Sequence, residues 1–98
     1  MATLDTTTEI PLEGGEILGV RIGRDPHRAG LDRVRLIDFG VPLWAIIAHL
    51  QSVNGDIERT AVDYNILVEA VRASKLYYDA HPEYIDAFLL INRSAFTR

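Results

Sequence analysis

The 98-residue sequence contains no cysteine, which excludes a disulfide scaffold and a thiolate metal site and suits a reducing compartment. It has no apolar run approaching the roughly 18 residues that a membrane-crossing helix needs. The opening MATLDTTTEI lacks a basic n-region and an apolar h-region, so no signal peptide is read there and a cytoplasmic location is expected. No glycine loop suited to cradling phosphate appears, and no Ser or Lys nucleophile has a visible base partner. His27, His49 and His81 are scattered without metal-ligand spacing. These absences lead to the expectation of a non-enzymatic protein with no cofactor and no metal. Positive charge is also short: Lys plus Arg number 10 against 14 Asp plus Glu, a net charge of −4. A non-specific nucleic-acid binder is usually basic, so that balance disfavours one.

What is present indicates one globular domain with a modest core, since 48% of residues are hydrophobic and 24% charged. Charge is unevenly placed. Arg21, Arg24, Arg28, Arg33 and Arg35 fall close together, opposed only by Asp25 and Asp32, while most acids lie elsewhere. Residues 1–15 are expected to form a flexible polar arm and 16–98 the single domain, with a β segment at 16–39 and a helical part at 42–96. EILGVRI reads as one strand with Leu18, Val20 and Ile22 on one face, and RVRLID as another with Val34 and Leu36 inward and Arg33 and Arg35 outward. Glu13-Gly14-Gly15-Glu16 reads as a turn. Two strands alone are marginal, so the ribbon must lie on the helices or pair with a second chain.

Helix punctuation follows. Pro42 suits a first turn, and Leu43, Ile46, Ile47 and Leu50 make a buried stripe. Asn54-Gly55 accepts a left-handed C-terminal cap, and Asp56 caps a helix over about 57–64. A third helix is expected from Leu67 to Ala80, and Pro82 opens a fourth through Ile85, Phe88 and Leu89. The last helix is very apolar, as though part of it met another protomer. Trp44, Tyr77, Tyr78, Tyr84 and Phe88 are spaced to cluster where the helices meet. His49 reads as a half-buried side chain beside the first helix's stripe, and His81 as a residue that ends one helix and starts another.

The stretch DIERTAVDYNILVEAV, residues 56–71, meets the spacing of a helix-turn-helix within about 56–80. Ala61 permits a close crossing, Asn65 accepts a left-handed turn, and Val71 locks the second helix. With Val71, Ser74 and Tyr78 inward, Leu67, Glu69, Arg72, Lys75 and Leu76 are left outward. Arg72 and Lys75 suit phosphate or guanine, Glu69 opposes phosphate, and Leu67 stands where a capping hydroxyl is usual.

From Val41 to Leu89 the chain resembles the small bacterial proteins grouped as domain-of-unknown-function family 433. The resembling blocks are VPLWAIIAHL, DIERTAVDYNI and VEAVRASKLYYDAHPEYIDAFL. The resemblance implies a homeodomain-like helix-turn-helix behind a short β segment, and an antitoxin-like protein encoded beside a PIN-like nuclease toxin that also binds its own operator DNA. Two positions depart from the family pattern. Asp38-Phe39-Gly40-Val41 replaces a segment that usually holds an arginine, and Lys75 stands where an apolar residue is common.

The expected fold is therefore mainly α, a homeodomain-like bundle of about four helices with a short two-stranded β element, forming a homodimer. On an antitoxin-like reading, Arg33, Arg35, Arg72 and Lys75 are the candidate DNA contacts, and Leu67, Leu76, Tyr78 and Tyr84 the candidate partner contacts. The alternative is a protein-interaction or assembly module that never touches nucleic acid. On that reading the arginine-rich segment is a solvated strand face whose charges pair with acids.

Overall fold

A computed structural model describes residues 10–24 and 34–96 of the chain, with side chains as far as Asn92. In it EILGVRI is a hairpin rather than one strand. β1 (Gly14–Ile17) and β2 (Val20–Arg24) run antiparallel with Ile17 opposite Val20. The two residues between them, Leu18 and Gly19, have φ of 53° and 78°, the left-handed geometry that the tightest hairpin loops require. Glycine adopts it freely, whereas a leucine there costs about 1–2 kcal/mol. Period two placed Leu18 inward with Val20 and Ile22. In fact Leu18 is at the turn and 52% exposed, while Val20 and Ile22 are buried.

The expected two-stranded element is a four-stranded antiparallel meander in the order β1-β2-β3-β4. β3 (Val34–Leu36) pairs with β2, placing Leu36 opposite Ile22. A turn closed by Gly40 N–H donating to the Leu36 carbonyl at 2.8 Å then leads to β4 (Val41–Pro42), which pairs back on β3. The glycine pair read as a turn begins β1. Gly14 has φ +100°, and a Cβ there would lie 2.1 Å from the Ile22 carbonyl oxygen.

Among the described residues four helices follow: α1 (Leu43–Ser52), α2 (Ile57–Tyr64), α3 (Val68–Ala80) and α4 (Pro82–Phe96). Pro42 is the N-terminal cap residue of α1. Asn54 and Gly55 are both left-handed, and Gly55 N–H reaches the Leu50 carbonyl at 2.8 Å. The sheet turns Val20, Ile22, Val34 and Leu36 toward Leu43, Ile46 and Ile47 of α1 and Ala70, Val71 and Ala73 of α3, in one continuous core. α4 covers the other side of α1 and α3 and adds Ile85 and Leu89 to that core. The result is an α/β domain, and the sheet is a full structural layer rather than an appendage to a mainly α bundle.

The chain before β1 is tied to the corner between α3 and α4. Tyr77 is fully buried and its hydroxyl donates to the Leu12 carbonyl. His81, the C-terminal cap of α3, donates from Nε2 to the Ile10 carbonyl at 2.6 Å. Ordered chain thus reaches back to Ile10, past the expected arm boundary at residue 15, because the corner supplies two donors to carbonyls that no strand would satisfy. Burial pushes the Tyr77 phenol well above the usual tyrosine range.

Candidate functional site

Asp56 begins the α2–α3 pair. Its carboxylate accepts from Arg59 N–H at 3.0 Å, and its carbonyl accepts from the buried Thr60 hydroxyl at 2.9 Å. α2 ends at Asn65, whose φ of 56° and ψ of 49° are left-handed. Ile66 N–H returns to the Ala61 carbonyl at 3.0 Å, closing the turn. Ala61 and Val71 are buried in the shared core. The three positions that define the spacing, Ala61, Asn65 and Val71, therefore occupy a close crossing, a left-handed turn and a locking contact. Leu67 caps α3 with no side-chain hydrogen bond, as expected where the residue has no hydroxyl.

The outer surface of this pair is apolar at the turn and nearly neutral along the helices. Val62 is 76% exposed and Leu67 61% exposed. Arg59 Nε lies 3.0 Å from Asp63 Oδ2, and His49 Nε2 donates to the same oxygen at 2.7 Å. That hydrogen bond from His49, with Arg59 nearby, holds the Asp63 carboxyl below the usual carboxylate range. Lys75 is engaged by Asp79 at 2.9 Å across one turn of α3. Arg72 is exposed and has no partner among the described residues, with Glu69 one turn before it and Glu58 on α2 also exposed.

The other candidate DNA contacts are not on this surface. Arg33 lies outside the described residues. Arg35 is half-buried on β3, its Nη2 donating to the Gly40 carbonyl at 2.6 Å, so it braces the β3–β4 turn. On the neighbouring strand Arg21 pairs with Asp38 at 2.5 Å, a contact that holds the Asp38 carboxyl below its usual range.

Among the candidate partner contacts, Leu67 alone is prominently exposed. Leu76 is half-buried rather than outward. The inward aromatic of α3 is Tyr77, not Tyr78, because the buried stripe runs through Ala70, Val71, Ala73, Ser74 and Tyr77. Tyr78 donates to Asp86 at 2.7 Å, a bond that raises its phenol, and Tyr84 packs edge-on against Phe88 at 5.2 Å. Tyr78 also lines a cleft of about 290 Å³, floored by Ile47 and Leu50 and rimmed by Lys75 and Asp79.

Sequence reasoning missed Val62 and the exposed pair Leu90 and Ile91 on α4. Val62 was accessible to it, since it falls outside the inward stripe of Ile57, Thr60, Ala61 and Tyr64. Among the described residues no three His, Asp or Glu side chains converge as for a metal ion, and no helix is long and apolar enough to cross a membrane. Compared with family models, curated proteins and solved structures, the chain matches none.

Proposed function

We propose that this chain is a non-enzymatic, antitoxin-like binding protein whose α2–α3 pair docks on protein rather than reading DNA. The observation that carries this reading is the exposure of Val62 and Leu67 on either side of the Asn65 turn. A reader of DNA uses that region for hydroxyls, amides and cations aimed at phosphate and base edges. Contiguous exposed apolar side chains instead mark protein contact. The ion pairs of Arg59 with Asp63 and Lys75 with Asp79 further reduce the positive charge on offer. The resemblance to family 433 supplies the partner class, a PIN-like nuclease toxin. Titration against such a nuclease tests the reading: Leu67→Asp and Val62→Asp should each weaken binding roughly tenfold or more, as loss of a central apolar contact does. Affinity untouched by both substitutions overturns this assignment of the docking face.

A second reading has its own support in Ala61, Asn65 and Val71. A homeodomain-like helix-turn-helix that represses its own operon would use those positions, with Arg72 as its leading contact and Arg33, Arg35 and Lys75 as auxiliaries. Fluorescence anisotropy on a duplex from the chain's own upstream region, beside a scrambled duplex and at two salt concentrations, separates the two readings. Sequence-dependent binding that weakens with salt and falls on Arg72→Ala favours DNA reading. An absence of binding to either duplex favours protein docking.

A further inference from the structure

α4 carries a second apolar surface, remote in sequence from the α2–α3 turn and not used by the proposed docking. Its inward residues are Ile85 and Leu89, both buried, with Phe88 and Asn92 half-buried beside them. Ala87, Leu90 and Ile91 face outward at i, i+3 and i+4, Leu90 being 62% and Ile91 58% exposed. Residues at this spacing form one continuous strip on a helix surface. We propose that the strip is closed by the same strip of a second copy of this chain, with the two α4 helices antiparallel.

The order of charges along α4 selects that occupant and that direction. The helix opens with Glu83 and Asp86, both exposed, and its sequence turns basic at Arg93. An antiparallel copy places Leu90 beside the partner's Ile91 and runs each acidic first turn alongside the other's basic last turn. A parallel copy sets acid on acid. The two helix dipoles also oppose each other in the antiparallel arrangement, which is the favourable alignment. A wholly basic partner helix would satisfy the acids and then be repelled at Arg93, so the face complements itself best. Such a face closes on one two-fold axis and produces a dimer rather than an open filament.

The absence of cysteine from the sequence permits a clean test on the full chain. With Leu90→Cys, mild oxidation should convert most of the protein to a covalent dimer, whereas Val62→Cys should stay uncrosslinked. Sedimentation equilibrium of the wild type should give twice the 11.0 kDa chain mass. The double variant Leu90→Glu, Ile91→Glu should sediment as a monomer with unchanged circular dichroism. A wild type that is monomeric at every concentration overturns the proposal. So does a dimer that cross-links through Val62→Cys and not through Leu90→Cys. The cysteine variants decide the question even where the double glutamate variant fails to fold. Because Val62 and Leu67 take no part in the α4 contact, loss of toxin binding and loss of dimerisation are read separately.

Discussion

Leu18 and Asn65 share one backbone conformation, with φ of 53° and 56°, but only one of them is a residue suited to it. Asparagine visits the left-handed region with local hydrogen bonding, and leucine does not. Leu18→Asn should therefore raise the urea midpoint, by about 0.5–1 kcal/mol of stability, and Asn65→Leu should lower it by about 1–2 kcal/mol. Midpoints that fail to move in opposite directions would remove backbone strain as the explanation. Asp63 provides a second residue-scale expectation. Its carboxyl is depressed below 3.8, first through the hydrogen bond from His49. The stability it contributes is present above the unfolded value and lost as pH falls through the lower, folded one. Acid denaturation followed by circular dichroism should thus steepen below about pH 4, and Asp63→Asn should flatten that limb while leaving its shape above pH 5 unchanged.

At the scale of elements, the helices were the legible part of the sequence because their ends are written in residues with one physical use. Asp56 and Asn65 bound α2 at the expected 57–64, and Pro82 opens α4. The strands were less legible. Leu18-Gly19 reverses the chain without breaking the apolar alternation, so the hairpin looked like one strand, and Val41-Pro42 is too short to display any period. The candidate site divided the same way. Ala61, Asn65 and Val71 were readable because each must be small, left-handed or apolar. The exposure of Val62, Leu90 and Ile91 was not, since an exposed aliphatic side chain is the same letter as a buried one. The hairpin also makes a sharp prediction. Gly14→Ala forces a Cβ onto the Ile22 carbonyl in a conformation that disfavours side chains, and should cost about 2 kcal/mol or more. Gly23→Ala meets only the Glu13 carbonyl at 3.4 Å and should cost under about 1 kcal/mol. Thermal melts of the two variants distinguish a steric requirement at Gly14 from a general loss of glycine.

For the molecule as a whole, the buried contact between Tyr77 and Leu12 ties the beginning of the sequence to the α3–α4 corner. The Tyr77 phenol is raised above 10.0 by burial, so the stability it contributes is complete below that value and lost as pH rises through the folded one. Unfolding followed by tyrosine absorbance should therefore set in above about pH 10, and Tyr77→Phe should flatten that alkaline limb. A steep limb retained in Tyr77→Phe would assign it to another group.

The same tie fixes an order of events during synthesis. Tyr77 to Leu12 and His81 to Ile10 span 65 and 71 residues of sequence. The sheet leaves the ribosome first, yet Val20, Ile22, Val34 and Leu36 are covered by α1 and α3, which are made afterwards. A nascent chain ending before α3 therefore presents an apolar sheet face with half its cover missing. That half-made species, rather than the finished protein, is the form most exposed to aggregation and to chaperone capture.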